Sequence, residues 1–159
     1  MLNTKNSSPS NWVRQAAGNT NRIEACFSGR AYAPHRHDTY TLALTTQGIQ
    51  SFNYRCQLRH SLPGQLVVLH PDEIHDGLAG NELPFSYRAI DIEPSLIQEI
   101  LGGYRLPFLT ETVTSDKRLT QVALQLLGDF ENPLSEFEIQ EAIYDFANLL
   151  QQMTDNKIR

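Results

Sequence analysis

The sequence predicts a mainly β chain with helices at its C-terminal end: a barrel or sandwich followed by an αα-hairpin. Three observations carry that reading. Short alternating runs, cut by Gly and Pro turns, fill the chain up to about Glu93. From Leu119 onward the apolar residues recur at helical spacing instead. Each of the last two segments carries a long apolar stripe that must bury against something, and the other stripe and the β part are the surfaces at hand.

At 159 residues the chain has room for one domain with a real core. Its 40% hydrophobic and 19% charged residues are ordinary for a soluble globular protein. A net charge of -5 with no basic cluster argues against direct nucleic-acid binding, which rests on neutralising phosphates. No apolar run approaches the ~20 residues of a membrane span. Residues 1–11, "MLNTKNSSPSN", lack the apolar centre of a signal peptide and read as a disordered polar lead-in. Cys26 and Cys56 are too few for a disulfide framework, so the expectation is free thiols in a cytoplasmic protein. Residues 12–93 read as the β domain and residues 94–159 as the helical segment.

"RIEACFS" (Arg22–Ser28) alternates and reads as a strand. "APHRHDTYTLALTTQG" follows, with a strict alternation that puts Tyr40, Leu42 and Leu44 on one face and Thr39, Thr41, Ala43 and Thr45 on the other. "IQSFNYR" and "QLRHSL" are two arms of a hairpin across Arg55-Cys56. A two-residue hairpin turn favours Gly or Asn, which tolerate positive φ, so a longer turn is expected here. "QLVVLH" (Gln65–His70) is a strand buried on both faces, and "PDEIHDG" breaks it. In "PFSYRAIDI" (Pro84–Ile92), Phe85, Tyr87, Ala89 and Asp91 oppose Ser86, Arg88, Ile90 and Ile92.

Pro94 suits a first helical turn and Gly102-Gly103 a helix end, which gives a short first helix. "PFL" (Pro107–Leu109) is a connector. Ser115 is the expected N-cap of a second helix with the stripe Leu119, Val122, Ala123, Leu126, Leu127 and Phe130, stopped by Asn132-Pro133. Ser135 and Glu138 have capping-box spacing and open a third helix. Its apolar side holds Ile139, Ala142, Ile143, Phe146, Leu149, Leu150 and Met153. The polar tail "TDNKIR" is expected to fray. The third stripe is broad enough to serve the chain's own core, a second copy of the chain, or both.

His35 and His37 are two residues apart and share a strand face, together with Thr41 and Ala43 if that strand runs on without a bulge. Two imidazoles among small side chains are what a cavity wall would present. The opposite assignment, large residues inside and histidines in water, satisfies the alternation equally well. His75 on the facing turn makes a third imidazole, and three with one open position suit Zn or Ni. On the Phe85–Ile92 strand either Tyr87 or Arg88 faces inward, and an inward arginine would favour a carboxylate or phosphate ligand. His60 reads as solvated and His70 as a structural residue at the barrel rim. Asp38, Asp72, Glu73 and Asp76 lie on turns, where carboxylates more often face water than catalyse.

The spacing Gly29-x5-His35-x-His37-x3-Thr41-x6-Gly48 resembles the first motif of the cupin (jelly-roll) barrel, with Thr41 where a metal-binding cupin carries Glu. "PGQLVVLHPDEIHDG" resembles the second motif more loosely, since Glu73 replaces a glycine. With "FSYRAIDIEPSLIQEIL", these blocks resemble, over about residues 20–150, the N-terminal effector-binding and dimerisation domain of AraC/XylS-family transcription regulators. The resemblance implies a regulator rather than an enzyme. It implies a small-molecule effector, mostly without a metal, for which strand parity and the facing turn offer His35, His37, Thr41, Ala43, His75, Tyr87 and Arg88 as candidate contacts. It also implies a homodimer through the terminal helices, for which the apolar stripe of the last helix offers Ile139, Ile143, Phe146, Leu149 and Leu150. DNA would be read by a helix-turn-helix domain beyond Arg159. Trp12 and Arg14 would belong to an arm over the pocket or, on a plainer reading, to an edge strand. The rival is a metal-dependent cupin enzyme, an isomerase or dioxygenase; the missing Glu and the long helical hairpin count against it.

Overall fold

The computed structural model describes residues 11–158. Ten strands and three helices occur among them: β1 Trp12–Ala16, β2 Asn19–Phe27, β3 Arg30–His35, β4 Tyr40–Gln47, β5 Gln50–Tyr54, β6 Gln57–Ser61, β7 Leu66–Leu69, β8 His75–Ala79, β9 Phe85–Ile92, α1 Pro94–Ile100, β10 Val113–Thr114, α2 Lys117–Leu127 and α3 Glu136–Ile158. All strand pairs are antiparallel. One sheet has the order β1-β2-β9-β4-β7-β10 and the other β3-β8-β5-β6, which makes a jelly-roll of two layers. The polar lead-in expected over residues 1–11 falls, but for Asn11, outside the described residues.

The larger sheet has an apolar layer on each face. Tyr40, Leu42, Leu44, Leu66, Val68, Ile90 and Ile92 face the helices and meet Leu119, Leu126, Phe146 and Leu150. Ala43, Val67, Leu69, Tyr87 and Ala89 face the smaller sheet and meet Phe52 and Tyr54. The alternation therefore resolves as large residues outward under the helices and small residues inward. β7 is buried throughout, as its unbroken apolar run requires.

Several expectations change. The stretch from His35 to Thr45 is not one strand: β3 ends at His35 in the smaller sheet and β4 starts at Tyr40 in the larger one. The hairpin turn is two residues after all, with Arg55 at φ 51° and Cys56 at φ 62°. Contacts of the Arg55 side chain with Glu73, Leu109 and Phe108 offset the strain of its left-handed conformation. "HDGLA" is a strand, β8, made so by β3 and β5 on either side despite its Asp-Gly. β1 is the edge strand of the plainer reading, paired with β2. The connector after α1 adds β10 at the sheet edge.

Asp116, not Ser115, caps α2: its carboxylate accepts from the N–H groups of Arg118 and Leu119 at 2.9 and 3.4 Å. Ser135 and Glu138 form the expected reciprocal capping box at 3.1 Å each way. The tail does not fray at Thr154; α3 runs to Ile158. The third stripe is spent inside the chain. Ile143, Phe146 and Leu150 are buried in the core, and Ile139 and Leu149 pack against it. Of the five residues expected at a dimer contact, Ile143, Phe146 and Leu150 could be reached by a second copy only by opening the fold, whereas Ile139 and Leu149 remain half-buried.

Candidate effector site and three-histidine cluster

A cavity of about 390 Å³ opens between the two sheets. The β3-to-β4 corner brings His35 and His37 to it, and β8 brings His75, the cross-strand partner of His35. Thr41 and Ala43 come from β4, and Tyr87 and Asp91 from β9. His35, His37, Thr41 and Ala43 thus share a cavity because the chain turns between sheets, not because one strand carries all four.

The three rings cluster closely, with centroids 4.7 Å apart for His35–His37, 4.5 Å for His35–His75 and 5.3 Å for His37–His75, the first pair edge to face and the others tilted. One nitrogen from each lies within 4.8 Å of the others. Backbone carbonyls set two tautomers. His35 Nδ1 lies 2.8 Å from the Ala33 carbonyl and His75 Nδ1 3.2 Å from that of Glu73. A carbonyl only accepts, so both Nδ1 atoms carry a proton, and the lone pair of each neutral ring is left on Nε2. His37 Nε2 lies 3.0 Å from His35 Nε2, within reach of that lone pair. Burial, helped by the neighbouring His35 and His37, pulls the His75 pKa down despite the Glu73 carbonyl, so this ring favours its neutral form.

The rest of the wall is polar without being cationic. Thr41 donates to Asp91 Oδ1 at 2.7 Å across the β4–β9 pair. Burial pushes the phenols of Tyr32 and Tyr87 up, keeping both as neutral hydroxyls, and the two share a hydrogen bond. Tyr32 reaches the cavity over Gly77, where a Cβ would come within 2.3 Å of the phenol ring. Among the described lining residues there is no Lys or Arg.

Arg88 is not a cavity residue, which corrects its place among the expected ligand contacts. It points to the helical face, pairs with Glu24 at 2.6 Å and donates to the carbonyls of Leu127 and Gly128 at 3.0 and 2.9 Å. Of Tyr87 and Arg88, which alternation puts on opposite faces of β9, Tyr87 is the one inside. Tyr32, Gln50 and Asp91 are cavity residues that sequence reasoning did not assign. Asp91 had a signal, since it shares the face of Tyr87. Tyr32 had none, because β3 was not distinguished as a strand. His70 is buried at the barrel rim, against Tyr40 and Phe108, as expected of a structural residue. His60 is solvated and bonded to Ser51 at 2.7 Å.

No helix among the described residues is long and apolar enough to cross a membrane. No curated protein matches the sequence significantly. Among solved structures, the chain is similar to a cupin-2 domain containing protein from Shewanella frigidimarina, with 19% identity, 58% of this chain and 93% of that chain covered, and a TM-score of 0.47. It is similar to the Cupin_2 domain of an XRE family transcriptional regulator from Enterobacter cloacae, with 14% identity, 46% and 80% covered, and a TM-score of 0.41. It is also similar to KdgF from Halomonas sp., with 18% identity, 53% and 80% covered, and a TM-score of 0.43. The family model of the AraC-like ligand binding domain matches residues 18–147, most of the described chain. With the two-layered barrel, its cavity and the terminal helices already in place, that match makes this chain a member of the AraC-like ligand binding domain family.

Proposed function

We propose that this chain is the effector-sensing module of a cytoplasmic transcription regulator. The cavity takes a small molecule, and occupancy biases a DNA-reading helix-turn-helix domain elsewhere in the protein. The observation that carries this reading is the cavity itself: about 390 Å³, walled by hydroxyls, imidazoles and one carboxylate, with apolar residues between them. Arginines 22 and 88, the nearest cations of β2 and β9, are committed to the helices. An uncharged, hydrogen-bonding effector therefore suits the walls better than a carboxylate or phosphate. A ligand shifts a regulator only through its difference in affinity between two arrangements. Thermal-shift screening tests the reading, since a ligand of the folded state raises its stability by about 2.7 kcal/mol at a hundredfold excess over Kd. A broad library of sugars, amino acids and carboxylates that leaves the midpoint unmoved would overturn it.

Two copies pair, in this proposal, through helical residues that the fold leaves uncovered. Phe137 and Tyr144 are 72% and 56% exposed and seven residues apart on one face of α3, and Leu124 of α2 is 51% exposed.

A second reading is favoured by one observation, the three-histidine cluster. Its donor set fits Zn or Ni: two Nε2 lone pairs are preset by carbonyls, and a third ring stands within reach. His35, His37 and His75 would hold the ion, which when bound would supply Lewis acidity facing the cavity. This is the arrangement a metal-dependent cupin enzyme, an isomerase or dioxygenase, would use. Elemental analysis of protein purified without a metal-affinity tag separates the readings.

A further inference from the structure

We propose that Arg55 is a positioning residue that couples the histidine-lined cavity to the C-terminal part of α3 through the strap of residues 107–110. The proposal rests on the effector-binding reading of the cavity.

Two of the three cavity histidines are tied to one loop, between β7 and β8. The Asp72 N–H donates to the His37 carbonyl at 2.7 Å, and His75 Nδ1 donates to the Glu73 carbonyl. Any ligand that draws these imidazoles together therefore pulls on Glu73. The Glu73 carboxylate holds Arg55 Nε at 2.8 Å. The Arg55 guanidinium lies over the Tyr54 ring at 4.7 Å and the Phe108 ring at 4.3 Å, and it donates to the Leu109 carbonyl at 3.1 Å. Phe108 carries the connection to the helix: its N–H donates to Thr154 Oγ1 at 3.1 Å, and that hydroxyl lies 3.0 Å from the Phe108 carbonyl. Each link is a hydrogen bond, an ion pair or a ring contact, so the path is physically continuous.

Backbone strain gathers at the same place. Among the described residues, Arg55, Cys56 and Asp72 are the non-Gly residues with positive φ, and they lie on the two turns that present Arg55 and Glu73 to each other. Such conformations persist only while surrounding contacts hold them, so loss of the Arg55–Glu73 pair gives both turns a relaxed alternative. That supplies the second arrangement a coupling element needs. The strap is suited to respond, since Tyr104, Leu106 and Phe108 are exposed around it.

The test is hydrogen exchange on the whole chain, with the cavity end perturbed by His75→Gln. The amides of Phe108 and Leu109 should exchange roughly three- to tenfold faster in the otherwise native protein. With Arg55→Lys already present, the same substitution should change them by less than about twofold. Glu73→Gln cuts the path one link earlier and should abolish the coupling in the same way, which covers the case in which Arg55→Lys does not fold. Equal acceleration in all backgrounds, or none in the native one, would overturn the proposal. A protein that shows the coupling yet binds no small molecule keeps the relay and loses the sensor. One that binds a molecule without the coupling keeps the sensor and loses the relay.

Discussion

His70 accepts the backbone N–H of Leu109 on its Nε2 atom at 2.9 Å, and it can do so only while that nitrogen is unprotonated. Burial, with the Arg55 guanidinium 3.2 Å from Nδ1, pushes its pKa down to about 4 from the ordinary 6.5. The folded pKa is below the unfolded one, so the unfolded chain takes the proton first. Stability is then complete above about pH 6.5 and falls as pH drops toward 4, by on the order of 3 kcal/mol over that interval. Urea midpoints between pH 7 and pH 4 should show the loss, and His70→Asn should flatten it. An unchanged slope in that variant would assign the effect to other groups.

Zinc binding should depend on all three imidazoles. Outer partners of metal ligands are worth about 10–100-fold in affinity, so removal of a ligand by His75→Ala should weaken Zn²⁺ binding by at least about 100-fold in a chelator competition. Uptake should release protons and weaken in acid. Thr41→Val should matter far less, since its hydroxyl is engaged by Asp91. Equal Zn²⁺ affinity in native protein and the His75 variant would remove the cluster as a metal centre.

Arg88→Ala should lower stability without touching ligand affinity. It strips Glu24 of one of two partners and leaves the Leu127 and Gly128 carbonyls without their donor, a loss of about 2 kcal/mol. Arg22→Ala should cost more, about 3 kcal/mol, because that side chain is wholly buried and donates to the carbonyls of Leu126 and Asp129. Calorimetry reads the first effect and titration with any ligand found reads the second. A changed Kd for Arg88→Ala would return that residue to the cavity.

Oligomerisation should respond to the exposed helical face and not to the buried stripe. Phe137→Glu or Tyr144→Glu should halve the mass seen by light scattering with little change in melting temperature. Phe146→Glu should instead unfold the chain, since a charge in that fully buried position has no partner. A native protein that is already monomeric would refute the dimer.

The strands and helices with strong local signals were legible from the residues. β7 declared itself by an unbroken apolar run, α3 by a capping box and stripe, and α1 by Pro94 and its two glycines. β3, β8 and β10 were not legible, because their pairing comes from neighbours distant in sequence. The hairpin turn was misjudged because the contacts that make Arg55 acceptable there come from Glu73, Phe108 and Leu109.

Alternation fixed which residues of β4 and β9 travel together, since successive strand side chains must point to opposite faces. It could not fix which set looks inward, because a face is defined only by what packs against it. Closure of two sheets around Ala43 and Tyr87, with the helices over Leu42 and Ile90, made that choice. It gathered three histidines from two segments of the chain, and it turned Arg88 away from them.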